Sequence, residues 1–120
     1  MAPQYHFWPS ADGESRDAWS VDRLIELSAG LPVVEVSIGE IAEVDSIYWF
    51  DGDTYRPTVR TVVDHARRMA EVDTRHPIIL GPDGRVMDGM HRIARAMLEG
   101  RTTIGARVFE ELTPPDERRR

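Results

Sequence analysis

Apolar positions recur along the chain with two periods, and the switches between them mark the elements. Thr58 to Val72 gives the clearest helix, with Val59, Val62, Val63, Ala66, Met69 and Ala70 at offsets 0, 3, 4, 7, 10 and 11. Pro57 stops any extension upstream. A shorter helix is expected over residues 21–29: Val21, Leu24, Ile25 and Ser28 share a face, Ser20 suits the N-cap, and Gly30 and Pro32 end it. A third runs from His91 to Glu99 and closes at Gly100, which can take the left-handed C-cap.

The strand signals are shorter. Residues 33–38 are β-branched, and their second half alternates apolar with polar, as for a strand with one buried face. Pro77-Ile78-Ile79-Leu80 and Arg85-Val86-Met87-Asp88 flank Gly81-Pro82-Asp83-Gly84, whose turn residues predict a tight hairpin. Thr103 to Phe109 supplies a last strand. Residues 39–53 read as irregular, with a short element at Ile47 to Phe50. Residues 1–18 follow neither period and read as an ordered arm or short strand and then a loop; Pro114 to Arg120 reads as a mobile polar tail. The pattern predicts one domain that mixes strands and helices, with a hairpin and three main helices between the arm and the tail.

Composition narrows the chemistry. The 120 residues, 41% apolar and 30% charged, provide for one core. There is no cysteine, hence no disulfide framework, thiolate nucleophile or zinc-thiolate site, and the chain fits a reducing cytoplasm. All 15 basic residues are arginine, which excludes a Schiff-base amine, a lysine base and the GxxxxGK[ST] phosphate loop. No run resembles a signal peptide or a membrane span, so a cytoplasmic location is expected. The net charge of −6 is uneven: residues 1–55 hold 2 Arg against 11 acidic residues, and residues 56–120 hold 13 Arg against 10. An acidic total is a poor footprint for duplex DNA, whereas one local basic pocket suffices for a small phosphorylated ligand.

Two features carry candidate chemistry. Asp88-Gly89-Met90-His91-Arg92 lies where a strand turns directly into a helix. Unpaired N–H groups and the helix dipole favour an anion there; Gly89 leaves room for it, and His91 and Arg92 add donors. Asp88 sits at the rim, able to hold a hydroxyl, a water or magnesium. The competing reading makes Asp88 a cap, Gly89 a turn, and His91 and Arg92 solvated side chains; on these five residues alone the two stand level. The second feature is the polar stripe Thr58, Thr61, His65 and Arg68, at offsets 0, 3, 7 and 10 beside the apolar face of the long helix. It is either the edge of a ligand groove or a solvated boundary with Asp64 and Arg68 paired at i, i+4, and periodicity favours the latter. Asp51-Gly52-Asp53 lacks the remaining ligands of a calcium loop and reads as a surface turn, and His65, His76 and His91 have no metal-ligand spacing. Trp8, Trp19, Tyr48, Trp49, Phe50 and Tyr55 could line a base-stacking wall or a core; Trp49 and Tyr55, just ahead of the long helix, are the pair to follow.

Taken in order, the strand at 33–38, Pro57-Thr58-Val59 opening the long helix, Pro77 to Leu80, the Pro82-Asp83-Gly84 turn, Val86 to Arg92 and the strand from Thr103 resemble the ParB/sulfiredoxin superfamily over residues 31–109. That resemblance implies a compact α/β (α+β) domain with a small mixed sheet over residues 31–109, preceded by an arm and short helix (1–30) and followed by a tail (110–120), and nucleotide phosphates cradled by Gly89, the Met90 backbone, His91 and Arg92, with Thr58, Thr61 and His65 along the nucleotide's flank. Where sulfiredoxins carry their catalytic cysteine this chain has Met90, which cannot perform that attack, and Thr58 stands in place of an expected lysine. With 11 residues after Phe109, a ParB-type DNA clamp is not expected. The superfamily's free-serine kinases place an acidic residue before the phosphate turn, as Asp88 does. The resemblance therefore implies a nucleoside triphosphate, ATP or CTP, with Mg2+, and, for an enzyme, phosphoryl transfer or hydrolysis with Asp88 and His91 as catalytic residues. The alternatives are a non-enzymatic module that senses a nucleotide or metabolite and binds a protein partner or a second copy, and, third, a DNA-binding or nuclease protein, against which the acidic balance argues.

Overall fold

Ile78-Ile79-Leu80, an apolar run too short for a helix, becomes the strand around which the protein is built. The computed structural model describes residues 4–9, 12 and 14–119. In chain order its elements are β1 (Tyr5–Pro9), β2 (Arg16–Ser20), α1 (Val21–Ser28), β3 (Val34–Ser37), two 3-10 turns (Ile38–Glu40, Ala42–Asp45), α2 (Val59–Glu71), β4 (Ile78–Leu80), β5 (Val86–Asp88), α3 (Met90–Leu98), β6 (Thr103–Val108) and β7 (Glu117–Arg119). The result is a mixed α+β fold with three α-helices and two small sheets among the described residues.

The larger sheet has the order β3-β6-β4-β5; β4 runs parallel to β6, and the other two pairings are antiparallel. Strand periodicity sends alternate side chains to opposite faces. Ile78, Leu80 and Val86 pack with Met90, Ile93 and Ala96 of α3 and with Ile38 and Ile41, while Ile79 and Met87 pack with Trp8, Trp19, Leu24 and Phe109. The central strand is thus buried on both faces, so it reads as a continuous apolar run instead of an alternating one.

The second sheet, β1-β2-β7, was not anticipated. Residues 5–9 and 16–20 form an antiparallel hairpin; the first strand fits the expected ordered arm or short strand, and the second stands where a loop is expected. The tail, expected to be mobile, adds β7 to β2, with Asp116 Oδ1 and Oδ2 accepting from Arg23 and from the Ser20 backbone. That pairing spans almost the whole chain length and leaves no local sequence signal. Residues 1–3 of the expected arm, residues 10, 11 and 13 of its loop, and Arg120 of the tail lie outside the described residues. Ile47 to Phe50 forms no helix or strand; the two 3-10 turns precede it instead.

The long helix exists as expected but faces the other way. His65 is its one buried residue, at 4% exposure, while Val59 is 84% exposed and Val62 and Val63 nearly half exposed. Of the polar stripe only His65 turns inward, where it meets a partner, while Thr58 and Arg68 stay exposed. His65 hydrogen-bonds His91 of α3, and Arg95 of α3 donates to the Met69 and Ala70 carbonyls near the C-terminus of α2. The i, i+4 pair of Asp64 with Arg68 does not form.

These placements separate two substitutions that the sequence pattern treats alike. Ile93→Ala, in the α3 core, is expected to cost about 2–5 kcal/mol in urea unfolding. Val59→Ser is expected to stay within about 0.5 kcal/mol of the parent protein.

Candidate functional site

The passage from β5 into α3 turns on one residue. Gly89 has φ +110°, and a Cβ built on it would lie 2.7 Å from Ile78 Cγ2, so both the backbone and the neighbouring strand require glycine. As the N-cap of α3 it offers no side-chain hydrogen bond, and the first backbone N–H groups of the helix lack intrahelical partners. Asp88 does not cap them. Its Oδ2 accepts from Arg92 Nη2 at 2.7 Å, and Arg92 Nη1 donates to the Pro77 carbonyl at 2.8 Å. The pair is largely withdrawn from solvent, with the two side chains 12% (Arg92) and 21% (Asp88) exposed.

Asp88 to Arg92 form one wall of a cavity of about 520 Å3. Its other walls come from α1 (Ile25, Ser28), the α2–β4 connection (Val72, Asp73, His76, Pro77) and the sheet (Ile79, Arg107). Apolar side chains line much of it, and Arg107 is held in place by donating to the Ala29 and Leu31 carbonyls. Among the charged wall residues, Arg92 and Arg107 are matched by Asp73 and Asp88, which leaves the free N–H groups and dipole of α3 as the net attraction for an anion.

The stripe on α2 takes two different roles. Thr58 caps the helix, accepting from the Thr61 backbone N–H at 3.2 Å, and the Thr61 hydroxyl donates to the Arg56 carbonyl at 2.6 Å. Neither threonine lines the cavity. His65 instead joins the site through its neighbour: His65 Nδ1 lies 2.8 Å from His91 Nε2, and His65 Nε2 lies 2.9 Å from the Tyr55 hydroxyl. Trp49 stacks over both imidazoles, with centroids 4.5 and 4.7 Å away and interplanar angles of 18° and 15°. Phe50 meets His65 edge-on at 5.5 Å. The turn Asp51 to Tyr55, closed by reciprocal backbone bonds, presents the tyrosine.

This environment controls ionisation. Burial, then the neighbouring His65 and Arg68, lowers the His91 pKa to about 4. Burial and Arg68 lower that of His65, against a smaller opposing effect of Asp64. At neutral pH His91 is thus a neutral hydrogen-bonding group, not a cation. Tyr48, beside Trp49, is pushed up to about 12 by burial and by the carboxylates of Glu43 and Asp88. No group of three or more His, Asp or Glu side chains suited to a metal ion occurs among the described residues.

The structure thus brings Asp88, Gly89, Met90, His91 and Arg92 together on one cavity, adds His65 behind His91, and leaves Thr58 and Thr61 outside. Trp49 and Tyr55, singled out only as aromatic residues before the helix, prove to be the roof and outer partner of the histidine pair. Val72, Asp73, His76 and Arg107 carried no sequence signal, because their contribution depends on how α1 and the α2–β4 connection fold over β4.

Gly89→Ala is expected to lower stability by at least about 1–3 kcal/mol, measured by urea unfolding, since both the left-handed backbone and the Ile78 contact oppose a side chain. A second outcome concerns pH. His6, on β1, is also lowered to about 4, by burial and then by Arg85. These histidines take up protons in the unfolded chain near pH 6.5 but resist them in the folded one, so stability is complete above about 6.5 and falls as pH drops towards about 4. Thermal melts across that window should show the loss, with a shallower slope in His6→Phe.

Comparison with family models, with curated proteins and with solved structures finds no match for this chain.

Proposed function

We propose that this domain binds a nucleotide, or another small phosphorylated metabolite, in the cavity at the start of α3. The observation that carries the reading is the uncapped N-terminus of α3 opening on a cavity of about 520 Å3 with an apolar lining. Backbone N–H groups and the helix dipole suit phosphate oxygens, and the apolar walls suit a base or other ring. The ParB/sulfiredoxin resemblance of residues 31–109 supports the same reading through Gly89, His91 and Arg92. Magnesium would arrive with the phosphates of ATP or CTP.

The ion pair between Asp88 and Arg92 bears on whether binding is followed by chemistry. Asp88 Oδ2 is engaged by Arg92 Nη2 at 2.7 Å, a contact that an acceptor hydroxyl would have to displace, and this favours a sensing or binding module over phosphoryl transfer or hydrolysis driven by Asp88.

Calorimetry with ATP, ADP, CTP and GTP, with and without magnesium, tests the reading. Binding by the native protein is expected, with an affinity loss of tenfold or more in Arg92→Ala, which removes the strut between Asp88 and Pro77 and leaves the Asp88 carboxylate unpaired beside an incoming phosphate. Absence of heat with all four nucleotides would overturn it, as would duplex DNA binding at physiological salt in preference to nucleotide. Phosphate release that vanishes in Asp88→Asn while affinity persists would identify an enzyme.

A further inference from the structure

We infer that Tyr55, His65 and His91 form one proton relay, which presents a neutral imidazole base to a hydroxyl-bearing ligand in the cavity and carries its proton out to solvent. This rests on the ligand-binding reading above and adds a proton acceptor separate from Asp88, whose Oδ2 is engaged by Arg92.

The geometry is a chain of two hydrogen bonds through three side chains: Tyr55 Oη to His65 Nε2 at 2.9 Å, then His65 Nδ1 to His91 Nε2 at 2.8 Å. It begins in the loop before α2, crosses the buried face of α2 and ends on the first turn of α3, where His91 lines the cavity. Both faces of the connection between the rings are committed, so the remaining functional atom of the chain is His91 Nδ1. That atom has no hydrogen-bond partner among the described residues, nor is it sealed from solvent, since His6 Nε2 is the one buried and unpartnered side-chain atom found there. Trp49 covers both rings and holds them nearly parallel, at 11°.

Hydrogen-bond accounting allows the neutral chain two states. In one, His91 Nε2–H donates to His65 Nδ1, His65 Nε2–H donates to the Tyr55 oxygen, and His91 Nδ1 offers a lone pair to the cavity. In the other every bond is reversed: the Tyr55 hydroxyl donates to His65 Nε2, His65 Nδ1–H donates to His91 Nε2, and His91 Nδ1 carries a proton. Passage from the first state to the second takes a proton from a ligand hydroxyl at His91 Nδ1, moves one proton along each bond, and releases the original Tyr55 proton to water. Neither ring need persist as an imidazolium. That matters here, because burial and the nearby Arg68, opposed at His65 only by Asp64, disfavour a charged ring. His91 is the group that meets the ligand; His65 and Tyr55 are positioning residues that act through it.

The two states carry a signature that mere packing would not produce. Because the link runs from Nδ1 of one ring to Nε2 of the other, both histidines must bear their proton on the same-named nitrogen, whichever state is populated. Long-range 1H–15N correlation spectra of the ligand-free, 15N-labelled protein read this directly. Expected are like tautomers for His65 and His91, no protonation of His91 near pH 6.5, and a change in the tautomer ratio of His91, together with that of His65, in Tyr55→Phe. Unlike tautomers in the native protein, a His91 that titrates near 6.5, or a folded Tyr55→Phe with an unchanged His91 spectrum would each overturn the relay. The native-protein measurement needs no variant to fold. It also needs no ligand, so failure of nucleotide binding and failure of the relay are separate results.

Discussion

Contact between Gly89 and Ile78 is the constraint on which the rest of the molecule depends. Ile78 lies in the strand buried on both faces, and Gly89 passes so close that no side chain fits between them. The left-handed backbone at Gly89 ends β5 and starts α3 within one residue, seating α3 on the sheet through Met90, Ile93 and Ala96. The same turn aims the uncapped start of α3 into the cavity. Packing and candidate function therefore share one backbone geometry.

The interface between α2 and α3 shows a polar surface used where an apolar one was available. A buried polar group is tolerated when its hydrogen bonds are made, and both nitrogens of His65 have partners. Arg95 satisfies helix-end carbonyls of α2 that would otherwise lack partners. Trp49 supplies the apolar contact that the helix itself does not, lying flat on both imidazoles. The consequence is a pair of histidines held neutral at the edge of a cavity, and an apolar stripe of α2 left facing outward.

Charge at the cavity is arranged more evenly than the sequence totals imply. The second half of the chain carries the arginines, yet Arg92 is joined to Asp88, and Arg107 donates to carbonyls of the segment after α1. Both guanidiniums thus serve as struts as well as charges. The charged side chains on the cavity wall are balanced in number, and the field left over there is that of the α3 backbone dipole, which needs no side-chain ordering.

Elements whose signal is local were legible in the sequence. The helices, the Gly81 to Gly84 hairpin, the strands at 34–37 and 103–108 and the strand-to-helix turn at Gly89 follow from periodicity, caps and glycine chemistry, with ends displaced by a residue or so. The gathering of Asp88 to Arg92 at one point also follows, because they are consecutive. Helical periodicity divides α2 into two faces but does not say which one is buried; the partners His91 and Arg95, 26 and 25–26 residues from the atoms they meet, decided that. Likewise β7 finds β2 about 100 residues away, and Trp49 and Tyr55 reach the histidine pair through an irregular loop. Such contacts are set by competition among surfaces after the elements have formed, so only the tertiary structure decided them.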